Sequence, residues 1–460
     1  MRQFWKTGFA LLVLAGLGFY IWKYEWGQEV GPDEPKESIL VVDEAKVTGI
    51  SIDSKGEDSI RLVKEAGEWQ MVAPFAAPAD STAVDSILTR AGDLEADEVV
   101  VETTEDLAQY GLAPPARTLT VTVEGEDEPR VVEFGDTAPA GSAVYARTPP
   151  SPRVYTVATW VLSSFDKKPF DLRDRDVLHV KRDDVRILEV AGPEGDYALA
   201  RTDAGDWAFT EPLATRAGRW SVDGLLGTLE NLRMESVAAE EAKSLKPYGL
   251  DRPARSVHLV LNDGTTRTLE IGGPAGEDDD GKVYAREKDS SLVAVIPGAV
   301  VTDLEKGMGE LRAKKLLEVA TYDTEGFDVV SGGVTKTYAK STTEDDDGLD
   351  QTRWKRTAPD EAELETTAVE DALFKLSGVE IQEFLDQPSA PSAYGLDAPV
   401  LRIAVRAKTD SWAEIARKDG DVYARRSGDD AVLKLDPAKA GELIEALEGL
   451  EPQKAAEDPD

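Results

Sequence analysis

Side chains that commonly do chemistry are scarce here: among 460 residues there is no cysteine, and the only histidines are His179 and His258. Lack of cysteine removes disulfides, thiolate nucleophiles, iron–sulfur ligation, thiolate zinc sites and a lipidated cysteine. Both histidines sit in apolar, strand-like runs, and no G-x-S-x-G, H-E-x-x-H or paired-histidine pattern accompanies them. That favours structural over catalytic or metal-binding roles. Gly276 with Gly281-Lys282 fits the spacing of a phosphate loop. The fit fails on physics: Glu277, Asp278, Asp279 and Asp280 fill the segment that should cradle phosphates, and Val283 stands where a magnesium-binding hydroxyl is needed. Glu344-Asp345-Asp346-Asp347-Gly348 is rich in oxygen ligands for a hard cation, but Thr343 and Trp354 occupy the first and last ligand positions of a calcium loop. Solvated acidic loops account for both stretches. No catalytic, cofactor-binding or metal residue is assigned, and no cofactor is expected.

Other residues recur in fixed order. Tryptophan with proline five residues on occurs at Trp69/Pro74, Trp207/Pro212 and Trp354/Pro359. Tyr-Gly-Leu with proline five residues after the tyrosine follows at Tyr110, Tyr248 and Tyr394, and Val-Tyr-Ala-Arg ends at Arg147, Arg286 and Arg425. From tryptophan to the first tyrosine the separations are 41, 41 and 40 residues, a register that chance motifs do not keep. The tryptophans read as core aromatics, and each Tyr-Gly-Leu reads as a turn whose glycine takes positive φ. The arginines are either internal ion-pair partners or a ladder that a partner reads. The internal role is favoured, since a long charged side chain kept at one register needs a partner.

The elements that would hold these residues repeat as well. Fifteen residues after each tryptophan begins a helix-period face: Val84, Ile87, Leu88, Ala91 and Leu94, then Val222, Leu225, Leu226, Leu229 and Leu232, then Val369, Ala372, Leu373, Leu376 and Val379. Asp80 or Ser81 is placed to cap the first. Alternating runs such as Leu119–Val123, Val257–Leu261 and Leu401–Val405 read as strands, and Val-Tyr-Ala-Arg as half of a hairpin. A shorter helix closes each copy near 160–167, 299–306 and 437–447. The third copy carries an acidic insertion near 344–350, lacks the glycine found at Gly135 and Gly272, and is shortened before its Val-Tyr-Ala-Arg.

The expected class is therefore α+β, an N-terminal transmembrane helix followed by three tandem copies of a mixed strand/helix domain. The expected organisation is a cytoplasmic stub and anchor over 1–24, a tether over 25–37, repeat domains over 38–175, 176–313 and 314–447, and a polar tail over 448–460. The anchor rests on Phe4 to Trp22, which is near the length that crosses a bilayer, with Arg2 and Lys6 before it and aromatics at its end. A cleaved signal peptide is the competing reading. The anchor implies a bacterial inner (cytoplasmic) membrane protein, single-pass, with its bulk in the periplasm or outside the cell. With 89 acidic against 52 basic side chains the net charge is −37; such a field repels phosphate backbones, so no nucleic-acid partner is expected. At 41% hydrophobic residues the chain can still bury cores.

The order of tryptophan-proline, helix, Tyr-Gly-Leu and Val-Tyr-Ala resembles a bacterial family of membrane-anchored repeat proteins designated domain of unknown function 4340, over nearly all of 38–447. That family's genes often neighbour those for ABC-type permeases and gliding-motility-like auxiliary transport proteins, and no catalytic residues carry over. The resemblance implies a non-enzymatic envelope protein, an accessory or scaffold subunit of an ABC-type export or surface-assembly complex, with the inner-membrane anchor, an ABC-type permease or auxiliary envelope proteins as partners. An extracytoplasmic module binding a cation or polysaccharide is the alternative.

Overall fold

The computed structural model describes residues 36–139, 141–276, 281–344 and 350–452. They form two compact units, one ending at Arg175 and the other beginning at Asp176.

The first unit is built on a nine-stranded antiparallel sheet, in spatial order Ala77–Pro78, Glu68–Ala73, Ile60–Glu65, Val47–Ser54, Arg117–Val123, Arg130–Thr137, Ala143–Arg147, Val154–Ala158 and Glu98–Val101, beside a small pairing of Ser38–Leu40 with Leu94–Glu95. Alternation decides what each strand buries, because successive side chains leave opposite faces. Leu119, Val121 and Val123 point inward from one strand, Val144 and Ala146 from another, while Tyr145 and Arg147 take the outer face. The helix Ser81–Gly92 lays Val84, Ile87, Leu88 and Ala91 on the inner face. Asp80 caps it, its carboxylate accepting the Ala83 N–H at 3.1 Å, an interaction worth about 1 kcal/mol. Trp69, Phe134 and Phe165 join the same core.

The second unit contains two further nine-stranded sheets with the same strand order, spanning Val185–Pro297 and Gly326–Leu435. Their long helices, Arg219–Glu230 and Thr366–Gly378, bury the valine and leucine positions read from the period. Trp207 and Trp354 are buried like Trp69. The tryptophan-linked prolines, Pro74, Pro212 and Pro359, all follow cis peptide bonds. The acidic insertion of the third copy does more than lengthen a loop: Val334–Glu344 and Asp350–Ala358 extend as one long hairpin, paired out to Glu344 and Asp350.

Two expectations need correction. The class is β-dominated rather than α+β, with 43% strand against 21% helix. The helix of each copy was plain in the sequence, but several strands carry too little alternation to be read. Edge strand Glu98–Val101 has no fully buried residue, and the tryptophan strand Glu68–Ala73 buries only Trp69 and Met71. The membrane assignment is also withdrawn. Among the described residues no helix is long and apolar enough to cross a membrane, so the structure does not support a single-pass inner-membrane protein. The segment 1–24 on which that expectation rested, the tether as far as residue 35 and most of the tail lie outside the described residues.

Candidate functional site

The recurring polar residues are tied up within each copy. Tyr110 meets Tyr145 edge-on at 5.0 Å, and Tyr248 with Tyr284 and Tyr394 with Tyr423 do the same at 5.1 Å. The Tyr-Gly-Leu glycines have φ of 68°, 68° and 72°, left-handed values that a side chain disfavours. They cap a short 3₁₀ turn and bring the tyrosine carbonyl against the neighbouring strand. A Cβ on Gly135 or Gly272 would stand 2.1 Å from the carbonyl oxygen of Tyr110 or Tyr248. In the third copy Ala416 fills this place, and the turn sits farther off. A Cβ on Gly395 would lie 3.6 Å from the Ala416 methyl.

Each recurring arginine has a carboxylate directly across the ladder: Arg147 with Glu133 at 2.8 Å, Arg286 with Glu270 at 2.7 Å and Arg425 with Glu414 at 2.6 Å. The internal reading of these arginines is the one the geometry carries. Their glutamates escaped notice in the sequence although a signal existed, since each precedes the glycine or its replacement in Glu133-Phe134-Gly135, Glu270-Ile271-Gly272 and Glu414-Ile415-Ala416. His258 lies on strand Arg255–Leu261 with its Nδ1 2.9 Å from Thr268 Oγ1. His179, contrary to expectation, is exposed and outside any strand. The acidic segments 277–280 and 345–349 lie outside the described residues.

Among the cavities of the described residues, a cleft of about 600 Å³ lies in the second unit between the second and third copies. One wall is the tight turn Ala204–Asp206 and the approach to helix Arg219–Glu230, with Arg216, Arg219 and Trp220. The other comprises Lys315 to Asp323 on the connecting segment and Val405 to Ser411 of the third copy. Trp220 is exposed (84%) because it precedes Val222 by two residues, about 200° around the helix from the buried face. Tyr322, 80% exposed, sits in a turn held by its own chain: the Asp323 N–H donates to the Ala320 carbonyl at 3.1 Å, and Lys340 Nζ donates to the carbonyls of Thr321 and Tyr322 at 3.2 and 2.9 Å.

The cleft's charge differs from the rest of this acidic chain. Arg216, Lys315 and Lys408 line it without an ion pair among the described residues, while Arg219 has a loose partner in Asp223 at 3.7 Å and lies over the Trp220 ring, 5.9 Å from its centre. Asp206, Glu318 and Asp323 supply carboxylates alongside.

Two buried arginines brace the cleft, Arg312 spanning from the second copy to the third and Arg426 tying the connecting segment to the third copy. Arg312 donates to Asp386 at 2.7 Å and to Thr215 Oγ1 at 3.3 Å, and its guanidinium lies 4.3 Å from the centre of the Phe384 ring. Arg426, side chain 1% exposed, pairs with fully buried Asp429 at 2.7 Å and donates to the carbonyls of Ala313, at 3.0 Å, and of Lys315. Burial holds the Arg426 guanidinium below its usual pKa; Asp429 opposes that shift, and the nearby charges of Arg216 and Arg312 add to it. Backbone bonds continue the seam, from the Gly218 N–H to the Leu311 carbonyl at 2.7 Å and from the Ala313 N–H to the Arg216 carbonyl at 3.0 Å.

None of the cleft residues was singled out in the sequence. Trp220 carried a usable signal: it is an aromatic out of phase with its helix, and Thr82 and Thr367 hold the same position in the other copies. Tyr322 and the three cations belong to no repeat, so only the fold brings them together.

No curated protein and no solved structure matches the chain. A family described as "Domain of unknown function (DUF4340)" matches twice, over residues 69–215 and over residues 207–399. With the matched spans running from Trp69 to Pro399, across well over half of its length, the chain belongs to the family of unknown function DUF4340.

Proposed function

We propose that the protein is a non-enzymatic recognition subunit, accessory or scaffold to an ABC-type export or surface-assembly complex, and that it holds its ligand in the cleft between the second and third copies. The observation that carries this reading is the pair of exposed aromatics, Trp220 and Tyr322, set beside Arg216, Lys315 and Lys408. Large apolar side chains left in water mark binding surfaces when they share a concavity with polar groups. Elsewhere the recurring charges are spent inside the fold, whereas these three cations are available to a partner. The buried arginine seam supports the same reading, since a preformed cleft avoids the cost of ordering its walls on binding.

The test is complementation. A strain lacking the gene is supplied with the full chain carrying Trp220→Ala and Tyr322→Ala together. Both side chains are exposed, so the thermal midpoint should be unchanged while function is lost. Full function in the properly folded double variant would overturn the reading.

A further inference from the structure

Resting on that reading, we infer that the cleft takes an anionic saccharide, a short chain of pyranose rings bearing carboxylates. Three features select this class. Trp220, whose ring has the Arg219 guanidinium 5.9 Å from its centre on one side, and Tyr322 offer flat apolar surface with polar tips, the kind of surface against which the C–H face of a pyranose packs while its hydroxyls stay wet. Arg216 can grip a carboxylate with two parallel N–H donors, and Lys315 and Lys408 act as point charges along the same cleft.

The third feature discriminates among anions. Asp206, Glu318 and Asp323 line the same cleft, and a densely charged phosphate chain would meet them with more repulsion than a chain with one carboxylate per ring, the −37 field of the whole protein opposing both. A saccharide is rich in hydroxyl donors, so the same carboxylates become acceptors for it. Mixed cations and carboxylates beside exposed aromatics suit a ligand that carries several hydroxyls for each negative charge. At about 600 Å³ the cleft is of ordinary ligand-binding size, and with Trp220 and Tyr322 exposed on it a chain can enter along it.

The test is calorimetric titration of the full chain with oligogalacturonate, with a neutral oligoglucoside of the same length, and with tripolyphosphate. The uronate should bind, and its affinity should fall as salt rises, because the cleft is open to screening. Trp220→Ala should weaken it about fivefold to tenfold, and Trp220→Phe should recover most of the loss. Lys315→Gln with Lys408→Gln should weaken the uronate and flatten its salt dependence. Equal binding of the neutral oligomer, tighter binding of tripolyphosphate, or no binding of the uronate would each overturn the inference. If the uronate fails to bind while the Trp220/Tyr322 double variant still loses function in the cell, the saccharide assignment falls and the recognition reading stands; if that variant keeps full function, the recognition reading falls.

Discussion

Replacing Arg426 by methionine should destabilise the second unit by about 3–5 kcal/mol, the range for removing one partner of a buried ion pair. The size follows from the surroundings. The Arg426 side chain is 1% exposed and that of Asp429 is fully buried, so removing the guanidinium leaves a carboxylate without counter-charge and away from water. It also strips donors from the carbonyls of Ala313 and Lys315, and each unsatisfied buried group adds about 1–3 kcal/mol. Against a typical domain stability of about 5–15 kcal/mol, the loss would be visible in urea denaturation. Amide exchange should localise it, with the Ala313–Leu316 backbone opening first. The matching Arg426→Met/Asp429→Leu double variant removes both charges and should recover most of the stability, because an apolar replacement of a buried pair is often neutral or better. A single-variant cost below about 1 kcal/mol, the value of an exposed pair, would refute the claim that this arginine fixes the connecting segment beside the cleft to the third copy. So would a double variant no better than the single one.

Three further outcomes are expected. Gly272→Ala places a methyl 2.1 Å from the Tyr248 carbonyl and should cost at least about 1–3 kcal/mol by overpacking; Ala416→Gly, at the equivalent position of the third copy, should cost no more than about 1 kcal/mol, both read from denaturation midpoints. Glu270→Gln removes the carboxylate 2.7 Å from Arg286 and should cost about 1.5–3 kcal/mol; an unchanged thermal midpoint would return that arginine to a partner-facing role. Asp303 accepts from Lys306 Nζ and Thr228 Oγ1 at 2.6 and 2.7 Å, which hold its carboxyl below the usual 3.8, the lysine bond contributing most. Because the folded value is the lower one, the stability is fully present above about pH 4 and is lost as pH falls through the depressed value. Acid titration of Asp303→Asn should show a correspondingly shallower loss.

Much of the fold was legible because its periodic parts obey simple geometry. Val222, Leu225, Leu226 and Leu229 read as one helix face and are buried as one, and Leu119-Thr120-Val121-Thr122-Val123 read as a strand and is one. The class was misjudged because the remaining strands owe their pairing to neighbours rather than to pattern. Ala77–Pro78 is too short to show a period, and Val99 and Val100 stand exposed on an edge strand that pairs, among the described residues, with Val154–Ala158 alone. The cleft was illegible for a related reason. Trp220 and Tyr322 lie about a hundred residues apart in sequence, and it is the seam of Arg312 and Arg426 that brings their segments to one cavity. Neither buried arginine could be told in the sequence from the many exposed ones.

The central claim, that this cleft is the ligand site, is tested most directly by hydrogen–deuterium exchange of the full chain with and without saturating oligogalacturonate. The account predicts slower exchange confined to four stretches: Ala204–Asp206, Arg219 and Trp220, Lys315–Asp323, and Val405–Ser411. Protection elsewhere in the chain, with these four stretches unchanged, would contradict it.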